Sequence, residues 1–403
     1  MVNSDKLIIK QVLEANHVQP AAPDSQTWSL LWSCNALVHK QQTYDHLTDY
    51  QKINHFINST ELTRKDRLYM NFNRMRDRFG SAEFNYLPET YVLPEQLQEF
   101  REAFQDNQSR LLYGDSNSRS NTRYTDNIWI AKPAQSSRGR GIFLLCDLKD
   151  IPPSQEEYVV SKYISNPLLI SGHKFDLRVY VLITSVDPLK IYVFNEGLVR
   201  FATEPYDIDI LKAGKFSHLT NYSINKKSEN FVQNKTAQER DVGNKWSLSA
   251  LQHHLQKLGI DFKIIWQKIY DMIIKSLISV ESQMLCNSKK PNPNSSKPSN
   301  CFELLGFDIL LDSDLNPWVL EVNLAPSLSA DSPLDFHIKS NLVVDFFNLA
   351  GIRRPLKRNG ANKPRQNKGK SNSVTHNAEM PVQTAQTLYK GVFTNEQPPQ
   401  NVN

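Results

Sequence analysis

The chain is poor in cysteine and glycine and has no long apolar run, and each shortage narrows its chemistry. Four cysteines, Cys34, Cys146, Cys286 and Cys301, are scattered over 403 residues. They form no CxxC pair and have no clustered histidines to complete a zinc site. This suits a reduced chain and argues against a disulfide-built secreted domain. No stretch supplies the roughly 20 apolar residues of a membrane helix, and the segment from Met1 to Val18 lacks the unbroken apolar core of a signal peptide. A cytoplasmic protein with no membrane partner is expected. Among only 14 glycines there is no GxxxxGK[ST] loop, and Gly139-Arg140-Gly141 is followed by Leu144 where a dinucleotide fingerprint requires glycine. HRD and DFG triplets are missing as well. Walker ATPases, Rossmann enzymes and protein kinases are all disfavoured.

What is present is enough for a large soluble fold. At 39% hydrophobic and 22% charged, the chain can build substantial cores, and its length calls for two or three subdomains. Lys and Arg number 47 against 42 Asp and Glu, a net charge of +5. The excess is local. Residues 353–370 carry eight basic side chains and no acid, which leaves residues 1–352 at about neutrality.

The first twenty-odd residues read as a polar segment, with apolar patterning starting near Trp28. From Tyr50 to Phe104 the pattern is mostly helical, and Gly114 to Asn121 reads as a loop or seam. Strands follow at Ile128–Ala131, Gly141–Leu145, Tyr158–Val160, Phe175–Ile183 and Ile191–Phe194. Apolar residues at Phe262, Ile265, Ile269, Met272, Ile273 and Val280 predict a long amphipathic helix. Asn287 to Asn300 is a low-complexity insertion. Two strands, Phe302–Leu311 and Trp318–Asn323, flank a tight polar turn, and a last helix runs from about Leu334 to Leu349 before Gly351. This order predicts an α+β architecture. The expected divisions are 1–24, a polar N-terminal segment; 25–67, an N-terminal subdomain; 68–162, a central one; 163–352, a C-terminal one; and 353–403, a basic, disordered tail.

Three sets of residues can carry chemistry. Lys132 follows an apolar strand and precedes Ser136-Ser137-Arg138-Gly139-Arg140-Gly141, a small-residue loop whose amides can approach phosphate oxygens while Lys132 and Arg138 neutralise them; the bland alternative is a solvent-facing turn. In Lys174-Phe175-Asp176-Leu177-Arg178, period two puts the three charges on one face, as a wetted sheet surface or, if that face lines a cleft, as a phosphate and substrate array. Asp308, Glu321 and Asn323 give the strongest metal signal. Period two places Glu321 and Asn323 on one face, and hairpin pairing can set Asp308 beside them. Three oxygen ligands with open positions suit Mg²⁺, the alternative being a chance pair of polar residues on an edge strand.

These segments, with Ser161-Lys162-Tyr163-Ile164 and His218-Leu219-Thr220-Asn221-Tyr222-Ser223, resemble the tubulin-tyrosine-ligase-like enzymes, which are ATP-grasp amide ligases. The resemblance runs from about Trp28 to Gly351, its motifs fall in the family's order, and Asn221 to Lys227 and Asn166 to Ile170 are most similar to the polyglutamylases. It implies an ATP-grasp architecture around a nucleotide cleft, with ATP and Mg²⁺. Lys132 and Lys174 would hold ATP phosphates beneath a mobile loop containing Arg138 and Gly139. Ser161, Lys162, Tyr163 and Ile164 would form the hinge against adenine, Asp176 would contact the ribose side, and Thr220 and Asn221 would lie near the phosphates. Arg138, Lys174, Arg178 and Glu321 would carry the catalysis, and Asp308, Glu321 and Asn323 the magnesium. Arg200 would pair with a carboxylate of incoming L-glutamate, helped by Tyr222, Ser223, Lys245 and Lys339.

The implied reaction adds free glutamate to side-chain carboxylates in the acidic C-terminal tails of tubulin or microtubules, by a monomeric cytoskeletal enzyme; a cilium or basal body is compatible. Glycine or tyrosine ligation and a noncatalytic microtubule binder are the alternatives. Arg200 favours an amino acid with an extra carboxylate, and no phosphate or metal ligand is lost. Ala131 departs from the β-branched residue many relatives carry there. The basic segment 353–370 would tether the enzyme to the acidic tails, with nucleic acid the weaker alternative partner.

Overall fold

The structure is a computed structural model, and it describes residues 2–3, 7–22, 25, 27–33, 44, 47–113, 127–136, 139–151, 156–208, 214–288 and 300–352. Arg138, the whole of the seam at 114–121, most of the 287–300 insertion and the 353–403 tail lie outside them.

Among the described residues three sheets form. The N-terminal one is parallel, in the order β1 (Val2–Asn3), β2 (Leu30–Ser33), β3 (Lys52–Ile53), with helix α1 (Leu7–Ala15) between its first two strands. The short α2 (Thr60–Thr63) and α3 (Lys65–Phe79) lead to a four-stranded antiparallel sheet. Its strands are β4 (Thr90–Leu93), β5 (Trp129–Pro133), β6 (Phe143–Leu145) and β7 (Tyr158–Lys162), in the order β4-β7-β5-β6, covered by α4 (Leu97–Tyr113). The largest sheet is antiparallel. It contains β8 (Leu169–Ile170), β9 (His173–Val186), β10 (Leu189–Phe201), β11 (Lys245–Ser247), β12 (Glu303–Leu311) and β13 (Pro317–Asn323), in the order β11-β10-β9-β12-β13 with β8 on β9. Helices α5 (Lys215–His218), α6 (Tyr222–Asn225), α7 (Leu248–Lys257), α8 (Phe262–Ser288) and α9 (Pro333–Ala350) complete the described chain. The mixture is α+β, and the long helix and terminal hairpin fall where the patterning puts them.

The main core lies between one face of the large sheet and α8. Phe175, Leu177, Val179, Val199, Phe307 and Ile309 meet Ile265, Ile269, Met272, Ile273 and Val280, each fully buried side chain contributing about 1.5–3 kcal/mol. The other face of β9 changes character along its length. Lys174, Asp176 and Arg178 are followed in the same phase by Tyr180 and Leu182, which join a second core with α1 and α9. Charge is thereby confined to one end of that face. Helix α9 starts with Pro333 behind the Ser332 cap and stops at Gly351, whose φ of 66° is the left-handed conformation that glycine adopts without strain.

Two readings of the sequence are corrected. Residues 1–24 are not merely a polar segment. Ile8, Ile9, Val12 and Leu13 form a buried stripe on α1 against Leu342, Phe346 and Phe347 of α9, and Trp32 stacks on Phe346 with ring centroids 5.4 Å apart. Helical spacing of four apolar residues outweighs the polar residues between them. Within the supposedly helical 50–104 region, Thr90-Tyr91-Val92-Leu93 is a strand paired with Ser161 to Tyr158, because its β-branched and aromatic residues suit a pleated surface. The expected 67/68 division falls inside α3.

Candidate active site

The charged end of the large sheet is built by register. Lys245 on β11 pairs with Arg200 on β10, which pairs with Asp176 on β9. One step along, Arg178 pairs with Asp308 on β12, and Asp308 pairs with Glu321 on β13. Directly paired residues share a face, so period two gathers these side chains opposite the apolar core. The array is buried: Lys174, Asp176, Arg178, Arg200 and Asp308 are each under 10% exposed. A wetted sheet surface is thereby excluded.

Buried charges need partners, and these have them. Arg200 donates through Nε and Nη2 to both carboxylate oxygens of Asp176, each at 2.6 Å, and its Nη2 also lies 2.8 Å from Asp308 Oδ2. Arg178 donates to Asp308 through Nε at 2.5 Å and Nη2 at 2.9 Å. Burial alone would raise the Asp308 carboxyl, but the two guanidiniums hold it well below the ordinary carboxylate range. Thr220 donates its hydroxyl to Asp176 Oδ2 at 2.6 Å. Gly306 has no side chain because a Cβ there would stand 2.8 Å from Pro326 and 3.1 Å from the Arg178 stem.

Across the cleft stands the four-stranded sheet. Lys132 on β5 reaches the Leu320 carbonyl on β13 at 3.4 Å, spanning the two sheets. Its ammonium is pushed down by burial, with the Glu321 carboxylate opposing. Lys174 donates to the Tyr163 hydroxyl at 2.9 Å, and that hydroxyl lies 3.0 Å from His218 Nδ1. Burial lowers Lys174 from 10.5 to about 7, Asp176 opposing and Lys132 reinforcing. Burial, aided by Lys174, lowers His218 to about 4, so the imidazole is neutral at physiological pH. Apolar walls come from Ile130, Ile142, Val159, Leu219 and Leu310, a slot that suits a flat base.

Of the residues singled out in sequence, Lys132, Ser161, Lys162, Tyr163, Ile164, Lys174, Asp176, Thr220, Asn221, Asp308 and Glu321 all line this one cleft. Gly139 adjoins it with a φ of 74°, and a Cβ there would meet Ile224 at 2.5 Å and Asn221 at 3.3 Å. Arg178 and Arg200 stand behind the cleft-facing acids. Asn323 donates to Glu321 Oε1 at 3.3 Å. Tyr222 and Ser223 open α6 beside Asn221, and the Tyr222 ring lies 3.8 Å beneath the Lys245 ammonium. Lys339 is on α9, 2.8 Å from Asp335. Lys245 and Lys339 are buried, although their local sequence looks like surface.

Sequence reasoning missed three residues. Lys65, at the start of α3, donates to the Ser136 carbonyl at 2.8 Å and lies 3.8 Å from Glu321 Oε2; nothing distinguishes it among neighbouring bases in the sequence. His218 sits inside a quoted motif without a role. Asp335 had a signal, the spacing Ser332-x-x-Asp335 of a helix N-terminal cap.

The donors present suit a hard cation held jointly with phosphates. Asp308 and Glu321 are oxygen ligands on paired strands, with Asn323 bonded to Glu321, and magnesium takes few protein ligands when phosphates and water fill the rest. The three N–H contacts on Asp308 leave about one of its four lone-pair directions. Among the described residues no three His, Cys, Asp or Glu side chains converge as a metal site, so Asn323 would have to act as the third donor.

An α+β molecule with three buried or half-buried lysines facing paired acids across an apolar slot has the make-up of an anion-binding cleft. The chain belongs to the tubulin-tyrosine ligase family, whose model matches residues 41–361. It is 43% identical over 353 residues to tubulin polyglutamylase TTLL5 of Homo sapiens, covering 87% of this chain and 26% of that protein. It is 40% identical over 350 residues to tubulin monoglutamylase TTLL4 of Homo sapiens (86% and 27%) and 41% identical over 334 residues to tubulin polyglutamylase TTLL6 of Mus musculus (82% and 37%). The chain thus spans about a quarter of the human relatives and just over a third of the mouse one. Among the described residues no helix is long and apolar enough to cross a membrane.

Proposed function

We propose that the chain is an ATP-dependent ligase that joins glutamate to side-chain carboxylates of glutamates in tubulin tails, in an ATP-grasp arrangement. The observation that carries the reading is the cleft itself, with Lys132 and Lys174 facing Asp308 and Glu321. Family membership and relatives named as tubulin glutamylases support it.

A carboxylate resists attack by an amine because its oxygen leaves poorly. In the proposed reaction the acceptor carboxylate displaces ADP from the γ-phosphorus of ATP, giving an acyl phosphate. The amine of free glutamate then attacks the acyl carbon, inorganic phosphate leaves, and the amine gives up a proton. Such transfer depends on positioning and charge stabilisation rather than on a protein nucleophile. Lys132 and Lys174 would hold phosphate oxygens. Ser161 to Ile164 would offer backbone groups to the base, and Thr220 with Asp176 would order the ribose side. Magnesium, bound by Glu321, Asp308 and Asn323, would neutralise charge on the transferring group. Arg178 would keep Asp308 ionised and in place. Arg200, whose Nε and Nη2 are held by acids, would pair with a carboxylate of the amino-acid substrate.

Purified protein with Mg-ATP and microtubules, offered labelled glutamate, glycine or tyrosine separately, tests the reading. Glutamate incorporation is expected. Incorporation of glycine alone would replace the substrate assignment, and incorporation of none would remove the ligase reading.

A further inference from the structure

Two lysines are buried against a single carboxylate beside the cleft. Lys245 donates to Asp335 Oδ2 at 2.5 Å, and Lys339, one turn further along α9, stands 2.8 Å from Asp335 Oδ1 and donates to the Ser329 carbonyl at 2.5 Å. Their exposures are 7% for Lys245, 4% for Lys339 and 0% for Asp335. Two buried ammonium groups share one buried carboxylate, the other acid near Lys245, Asp331, being exposed, and the N-terminus of α9 adds positive potential. Asp335 sits in the first turn of α9. Its backbone N–H donates to the Ser332 hydroxyl at 3.2 Å, and that hydroxyl lies 3.5 Å from Asp335 Oδ2, so the helix cap holds the main chain and adjoins the carboxylate. The groups facing Lys245 are Asp335, Lys339, Asp331, the Tyr222 ring and, across the strand pair, Arg200.

We infer that Asp335 is a positioning residue for the amino-acid substrate, holding Lys245 and Lys339 charged and side by side so that their surplus charge receives one carboxylate of the incoming amino acid. This rests on the proposed ligase reading and adds a residue that touches the substrate only through others. Burial already lowers the Lys245 ammonium, and Asp335 is the main opposing influence. Without that carboxylate, two like charges share a poorly solvated place, and Lys245 gives up its proton at a lower pH.

The test compares wild type with Asp335→Asn and Asp335→Glu. Amino-acid KM and nucleotide KM are measured from pH 6.5 to 9, with calorimetric binding of L-glutamate in the presence of a nonhydrolysable ATP analogue. In Asp335→Asn the amino-acid KM and Kd should begin to climb at a lower pH than in wild type, by up to about tenfold per unit once Lys245 loses its proton. Nucleotide KM should follow the wild-type profile, and Asp335→Glu should bring the amino-acid profile back to that of wild type. Parallel profiles, or losses shared equally by nucleotide and amino acid, would overturn the inference. Should Asp335→Asn not fold, Lys339→Met removes the surplus charge and should raise amino-acid KM by about tenfold or more; an unchanged KM counts against the role. If wild type incorporates glycine or tyrosine in place of glutamate, only the substrate assignment fails, and the same profile is read on that amino acid. If it binds no amino acid, ligase reading and inference fall together.

Discussion

Arg200 and Asp176, paired across β10 and β9, share two hydrogen bonds of 2.6 Å in a place where both are under 10% exposed. The same guanidinium touches Asp308, so one side chain compensates two buried acids. Arg200→Gln should therefore cost stability as well as activity, by about 3–5 kcal/mol, the usual penalty for removing one member of a buried pair. Urea denaturation measures it, and a loss below about 1 kcal/mol would mean that Asp176 and Asp308 find other partners.

Glu321 is a quarter exposed toward the cleft, and its substitution should spare the fold. Glu321→Gln keeps the shape and the Asn323 contact but removes the charge proposed to hold magnesium. Incorporation of labelled amino acid should fall by about 10²–10³-fold with little change in thermal midpoint. Near-wild-type turnover would take Glu321 out of the proposed metal set.

Lys174, proposed to hold phosphate, should make nucleotide binding pH-sensitive. Its ammonium, lowered from 10.5 to about 7 by burial, attracts phosphate only while protonated. ADP affinity should weaken as pH rises from 7 to 9, by up to about tenfold per unit, and Lys174→Met should bind weakly with a flatter profile. Curves for the two proteins that run parallel would rule out Lys174 as the titrating group. For the unliganded fold the sign is opposite. Between about 7 and 10.5 the unfolded chain holds a proton that the folded one has shed, so this residue makes stability rise with pH there.

The basic run at 353–370 carries eight positive charges on a chain otherwise near neutrality. Truncation after residue 352 should weaken microtubule co-sedimentation at low salt far more than at 0.3 M salt, where screening lengths drop to about 6 Å. Equal pelleting of both forms at both salt concentrations would remove the tether.

Much of the cleft was legible because its residues sit at fixed strand phases: Lys174, Asp176 and Arg178 alternate with Phe175 and Leu177, and a short turn sets Asp308 opposite Glu321. Long-range partnership was not. Nothing in the sequence says that Arg200 is shared by Asp176 and Asp308, that Asp335 draws in Lys245 and Lys339, or that Lys65 leans toward Glu321, since each contact depends on how separate elements pack. Helix α1 was overlooked because its apolar stripe is only four residues, and β4 because a four-residue strand is lost in a helical neighbourhood. The cap spacing at Ser332 and Asp335 was readable and was passed over.

The pairing of β12 with β13 skips one residue, so that Asp308 faces Glu321 while Ile309 faces Val319. Strict alternation could not place Val319 and Val322, three apart, in the core while Leu320 and Glu321 both line the cleft. Leu320 is the odd residue that changes the phase, and its carbonyl is where Lys132 lands. Whether this hairpin shows acid or grease to the cleft is therefore a matter of counting as much as of composition. Without that skip, strict alternation from Val319 would put Glu321 on the same face as Val319, turning the acid toward the oily layer while leaving every reactive residue in the sequence.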